Sequence, residues 1–141
     1  MKPSLIIPRI RAQVSAFSNR VGGTAAFEAA ASSNEDIAVP AAFVVPLGEE
    51  VSDSVSAPGV VQIIDDRFGV IVVVSNTADE GGADGAEQVD DLRASLLTAL
   101  TAYRPSVAHH PIRYMGGQHL AIDRARLWHQ FEFATRYILK G

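Results

Sequence analysis

The stretch from Val60 to Val74 restricts the fold more than any other part of the chain. It is dense in Val and Ile, whose branched Cβ suits a pleated surface better than a helix, so it predicts strand. Its last part, Val70-Ile71-Val72-Val73-Val74, is the longest nearly unbroken apolar run in the sequence. That run falls far short of the ~20 residues a membrane-crossing helix needs, which excludes one. Asp65-Asp66-Arg67 interrupts the stretch and leaves two readings. One is a hairpin that turns at the acids; the other is a single long bent strand with a bulge at Gly69.

Such a strand needs a layer to cover it, and the clearest candidate is a helix beginning near Ala86. Val89, Leu92, Leu96, Leu100 and Tyr103 recur there at intervals of three and four, an apolar stripe along one face. Acids at its start suit the positive end of the helix dipole, and Pro105 is expected to end it. Two further helices are predicted, Ser4 to about Ser15 with Pro8 tolerated in the first turn, and Thr24 to Ala31 with Thr24 as cap. Ala42 to Val45 predicts a strand that stops at Pro46 and Gly48, followed by a polar loop from Glu49 to Gly59. Near the end, Ile112 to Tyr114 and His119 to Ile122 predict a short hairpin around a Gly116-Gly117 turn. Arg126 to Leu139 alternates as a last long strand. The order of elements predicts α+β, a mainly antiparallel sheet with flanking helices on one face, in one domain spanning residues 1–141.

Composition narrows the function classes. The chain has 141 residues, 48% of them hydrophobic, enough for one packed core. Twelve Lys and Arg against sixteen Asp and Glu leave a net charge of −4, so no overall basic field exists to hold nucleic acid. Without cysteine, disulfides, thiolate metal sites and thiol nucleophiles are excluded. Pro8, Arg9 and Arg11 break the apolar stretch Leu5-Ile6-Ile7, so an export signal is not expected.

No constellation of reactive residues has the spacing of a known site class. His109, His110, His119 and His129 lie in the last third but form no HExxH-like pair, and surface or interface roles are favoured over metal binding. Asp65-Asp66 with Asp123 and Glu132 have nothing to fix their separation, and acidic pairs in turns commonly bond their own backbone. No GxSxG elbow or phosphate-cradling glycine pattern is present. Catalytic, cofactor-binding and metal residues are therefore all expected to be absent.

The distribution of charge is more informative. From Arg104 to Gly141 six basic residues face two acids, whereas Met1 to Tyr103 has six basic residues and fourteen acids. Most of the cations are Arg, the side chain suited to bidentate ion pairs at contact surfaces. An acidic flank and an Arg-rich flank on one chain permit head-to-tail pairing, which closes into a ring if the rotation allows. Arg113, Arg124, Arg126 and Arg136 are the candidate basic contacts, and Asp65, Asp79 and Asp84 their candidate acidic partners, between subunits or with a tube.

Several segments together resemble a known family. They are Phe17-Ser18-Asn19-Arg20-Val21-Gly22-Gly23, Pro40-Ala41-Ala42-Phe43-Val44-Val45-Pro46-Leu47-Gly48, the Gln62 to Val74 segment with Arg67-Phe68-Gly69-Val70, and Leu127-Trp128-His129-Gln130-Phe131-Glu132-Phe133. The pattern resembles the small tail terminator (tail completion) proteins of long-tailed bacteriophages of the Mu-like and siphophage type. The resemblance implies a non-enzymatic structural virion protein, without cofactors, that assembles as a homo-hexameric ring on the last ring of tail tube protein. Such a ring stops tube polymerisation and offers the tail-side surface for the head-tail connector or neck protein. The tape measure protein is a further candidate partner. Genomic DNA would pass the lumen without specific binding, and no membrane is involved. The implied location is the virion, at the neck end of the tail, after assembly in the host bacterial cytoplasm. The loops Glu49 to Gly59 and Asn76 to Gly85 are polar enough to order only on contact with a neighbour. Competing readings are a head-completion or neck connector protein, a small metal-dependent enzyme using the C-terminal histidines, and a dimeric adaptor.

Overall fold

The computed structural model describes residues 1–33, 37–54, 61–76, 83–123 and 125–140. The sequence lays down α1 (Ile7–Gln13), β1 (Val21–Gly22), α2 (Thr24–Ser32), β2 (Ala41–Ser54), β3 (Val61–Ser75), α3 (Ala83–Leu100), β4 (Arg113–Asp123) and β5 (Arg126–Lys140). The strands form one 5-stranded sheet in the order β1-β2-β3-β5-β4. Only the β1–β2 pair is parallel; the other neighbours are antiparallel. The α+β architecture with a mainly antiparallel sheet is as the sequence predicts.

Of the two readings of the Val60 to Val74 stretch, the structure has the single strand. Asp65 and Asp66 stay in the ladder, opposite Glu50 and Glu49 on β2 and Arg136 and Thr135 on β5. No turn is needed there because each acid has a partner in the extended chain: Asp65 accepts from Arg136, and Asp66 from the Met1 amino group. The bulge is also not at Gly69. It lies across β2, where the register shifts between Pro46 and Gly48, and Gly48 takes φ +110°. One extra residue there accommodates Pro46, which cannot donate to a ladder, so β2 continues through Ser54 instead of ending. The loop expected over Glu49 to Gly59 is therefore strand as far as Ser54, and residues 55–60 lie outside the described set.

The expected hairpin around Gly116-Gly117 is a single strand too. β4 runs unbroken from Arg113 to Asp123 along β5, with register shifts at Tyr114/Gly116 and His119/Ala121. Gly116 sits at the first shift with φ +133°. A Cβ on Gly117 would lie 3.0 Å from His129 Nε2 and from the Tyr114 hydroxyl, so glycine there serves close approach.

Helix limits move for local reasons. Pro8 cannot donate a helical hydrogen bond, and the first predicted helix divides into a 3-10 turn at Pro3–Leu5 and α1, whose first turn contains Pro8. Thr24 is the first residue of α2, and Gly23 caps it. α3 ends at Leu100, before Pro105, because Ala102 adopts φ 68°. The turn is held by the Ala102 N–H donating to Ile112 O and the Ile112 N–H donating to Tyr103 O.

The core has two halves. Val70, Val72 and Val74 of β3 face α1 and α3 and pack with Ile10, Leu92, Leu96, Leu100, Phe131 and Phe133. Ile71 and Val73 face the other way with Phe43 and Trp128, where Phe27 and Ala30 of α2 cover them. Phe43 and Trp128 stack, and Phe27 meets Phe43 tilted and Trp128 edge-on, with ring centroids 5.8–6.3 Å apart. Helices thus flank both faces, not one, and Val70 to Val74 is apolar without alternation because both faces of β3 are buried there. Leu96→Ala removes a fully buried side chain of the α3 stripe and is expected to cost about 2–5 kcal/mol in urea unfolding. Ser95→Ala, on the exposed face of the same helix, should stay within about 0.5 kcal/mol.

Candidate functional site

Three of the predicted contact residues meet in one ion cluster on the α2 side of the sheet. β3 places Asp65 directly opposite Arg136 of β5, and Arg113 of β4 lies opposite Ala134, two residues along β5 and on the same face. Arg136 Nε donates to Asp65 Oδ1 at 2.9 Å and its terminal nitrogen to Oδ2 at 3.3 Å. The Arg113 guanidinium lies 3.3 Å from the same carboxylate. The Arg136 hydrogen bond, aided by Arg113, holds the Asp65 carboxyl below the usual carboxylate range against the opposing effect of burial. Both guanidiniums stay close to half exposed, 42% for Arg136 and 43% for Arg113.

Arg126 is placed differently. It is 6% exposed and donates to both oxygens of Asp123 and to the carbonyl of Ala30 in α2. Its guanidinium lies 5.2 Å from the centre of the Trp128 ring, whose Nε1 donates to Asp123 at 2.8 Å. This clasp ties the β4–β5 hairpin to α2 from within the chain. Asp84 is exposed in the first turn of α3, followed by exposed Glu87, Asp90 and Asp91. Arg124 and Asp79 lie outside the described residues.

The histidines and the remaining carboxylates are dispersed. His119 and His129 stand opposite each other across β4 and β5. His109 sits elsewhere, 2.7 Å from the Ser106 hydroxyl and edge-on to Tyr137. Among the described residues no three His, Asp or Glu side chains are grouped to hold a metal ion. Glu132 pairs with Arg67 at 3.4 Å, Asp66 with the Met1 amino group and Asp123 with Arg126, so the acids do not converge.

Two apolar features, neither singled out by sequence, lie at opposite ends of the sheet. At one end a cleft of about 460 Å³ opens between α3 and the β4–β5 hairpin, with Val89, Leu127 and Phe131 within it and Asp90, Arg93 and His119 also lining it. Ile122 beside it is 62% exposed. At the other end β2, β3 and β5 run past the helices, and Val51, Ile138 and Leu139 are 52%, 46% and 48% exposed. The sequence does contain a signal for the second feature. Ile138 and Leu139 are consecutive apolar residues of one strand, which puts one of them on each face.

Burial pushes the imidazoles of His109 and His129 below their ordinary value, and for His129 the neighbouring His119 adds to the effect. The unfolded chain then takes up protons first as pH falls below about 6.5, so stability should drop from there until the folded imidazoles protonate. Thermal melts between about pH 7.5 and 5 should show this slope, and His129→Gln should flatten it. The Asp65 shift acts in the same direction at lower pH. Its contribution is complete above about pH 3.8 and is lost as pH falls through the lowered folded value. Asp65→Asn should therefore cost no more than about 1 kcal/mol near neutrality, and converge with the parent in acid melts.

The family model for phage tail terminator protein matches residues 1–141, the whole chain. Among solved structures, a chain from the virion of a native gene transfer agent particle superposes with a TM-score of 0.52 at 16% identity, over 95% of this chain and 90% of that one. A second solved chain aligns over 97% of this chain and 96% of its own, at 15% identity and a TM-score of 0.46. No curated protein matches this sequence. The matched family is made up of structural proteins of the phage tail and is not an enzyme family, so the chain has a structural role in the tail. With the family model spanning every residue of a five-stranded α+β fold, the chain belongs to the phage tail terminator family.

Proposed function

We propose that this protein caps the phage tail tube: six copies close into a ring on the last ring of tube protein, stop its polymerisation and present the surface to which the head connector attaches. The observation that carries this reading is the family match over residues 1–141. The chain would then sit at the neck end of the tail, having assembled in the host bacterial cytoplasm.

The chain's chemistry supports such a role. A cap must bind protein on both sides without gripping the DNA that passes through it. Duplex binding is driven by free cations against phosphate, and net charge here is −4. Arg67 and Arg126 each lie beside a carboxylate of the same chain, and Arg113 and Arg136 share that of Asp65.

Disrupting the gene in the parent phage and measuring tails by negative-stain electron microscopy tests the reading. Tails of excessive and variable length, with no heads attached, are expected. Tails of normal length beside unjoined heads would instead assign the protein to the head side of the joint.

A further inference from the structure

We propose that the loop joining α3 to β4 is a preformed binding knob that seats Val107 in an apolar pocket on the end ring of the tail tube. This rests on the capping reading above and adds to it the part of the chain that meets the tube.

The segment from Thr101 to Ile112 forms neither helix nor strand. Connections of about 12 residues without regular structure are uncommon in compact domains, and ordered ones mostly serve binding or catalysis. The ends of this one are pinned together: the Ala102 N–H donates to Ile112 O and the Ile112 N–H to Tyr103 O, each at 2.9 Å. Its interior is filled by its own side chains. Arg104 donates from Nε to His109 O at 2.9 Å and from a terminal nitrogen to Val107 O at 3.0 Å. The Ser106 hydroxyl lies 2.7 Å from His109 Nδ1 and accepts from the Ala108 N–H at 3.2 Å, and Pro105 is buried. The far side is tied to β5, where the His110 N–H donates to Arg136 O and the Thr135 hydroxyl donates to His110 O. Close ends and a self-packed interior define an Ω-loop, a form that frequently carries function.

What these bonds hold up is Val107, 95% exposed, with exposed Ala108 beside it. The other exposed large apolar side chains among the described residues are 37–62% exposed, partly covered by their own strands. Almost none of the Val107 side chain meets its own chain, yet its backbone is fixed on both sides. A side chain held in position beforehand loses little freedom on binding, so little of the contact is offset by ordering.

The chemistry of the tip selects its partner. Ser106-Val107-Ala108 carries no cation to hold phosphate, and one valine is far less than a lipid surface requires. The complement is a preformed apolar pocket in a folded protein. Burying one valine is worth about tenfold in affinity, so a single knob is a weak contact. Identical knobs on a ring act together, provided that the partner repeats its pocket around the same axis. The end ring of the tube is built of identical subunits and is the surface a cap has to recognise.

Val107→Asp tests the contact, because a side chain so exposed can change without disturbing the fold. The purified variant should keep the melting temperature of the parent and its oligomeric state by native mass spectrometry. Its co-sedimentation with uncapped tail tubes, taken from a lysate of the gene-disrupted phage, should weaken about tenfold or more, and complementation with it should leave tails overlong. Val107→Ile, which keeps an apolar tip, should bind like the parent and restore normal tail length. Tube binding by Val107→Asp equal to that of the parent would overturn the knob and leave the capping reading standing. Loss of the oligomer would reassign the loop to a contact between copies, and normal tails beside unjoined heads would reassign it to the connector; either result overturns this proposal. A parent protein that does not bind tubes would remove the capping reading and the knob with it.

Discussion

Burial of β3 on both faces is the constraint on which the rest of the structure depends. Val70 to Val74 can be removed from water only if something covers each side of the sheet, and no single amphipathic helix does both. α1 and α3 cover one side through Ile10, Leu92, Leu96 and Leu100, and α2 covers the other through Phe27 against Phe43 and Trp128. The neighbours of β3 follow from the same requirement. β5 contributes Phe131 and Phe133 to the first layer and Trp128 to the second, with Gln130 and Glu132 on the second face between Trp128 and Ala134. The clasp of Arg126, Asp123 and the Ala30 carbonyl then fastens α2 to the hairpin at the end of that layer.

A sheet of this kind has open edges, and both are unsuited to adding strands. β4, on one side, carries two register shifts that break its straight run, and on the other β2, open beyond its short pairing with β1 at Ala42 and Phe43, carries Pro46, the adjacent register shift and the acids Glu49 and Glu50. Bulges, proline and charge are the devices by which edge strands resist uncontrolled pairing. An assembly that must contain a definite number of subunits is better served by contacts that do not propagate through backbone hydrogen bonding. Exposed apolar side chains lie at the ends of the sheet, Val51 and Leu139 at one and Ile122 at the other, and Met115 and Leu120 lie on the β4 edge.

Charge behaves differently in three dimensions than along the chain. The Arg-rich last third and the acidic first part are distinct in sequence, yet β3 and β5 lie side by side, and much of that polarity is neutralised inside the subunit. Asp65 comes from the acidic part and Arg136 and Arg113 from the basic part, and they meet because antiparallel pairing brings the strands into register. Arg126 is buried beside Asp123, an acid of the same last third, and reaches the Ala30 carbonyl of the first part. The acids at the start of α3, Asp84, Glu87, Asp90 and Asp91, are exposed and keep their charge at the surface.

By itself the sequence determined the fold class, the α3 stripe, the strand character of Val60 to Val74 and of Arg126 to Leu139, and, through its resemblance, the family. These are legible because hydrophobic periodicity and β-branching act locally, within a few residues. Only the tertiary structure decided that Asp65-Asp66 and Gly116-Gly117 lie within strands, that β2 passes Pro46, and that α2 crosses to the opposite face. Each of those depends on a partner distant in sequence: a bulge opposite Phe68 and Arg67, a cation reaching across the sheet, an aromatic ring waiting on β5. The same holds for the candidate contact surfaces. Val51, Ile122 and Leu139 are ordinary strand residues until the layers are assembled, and whether they are covered is settled by where the helices stop.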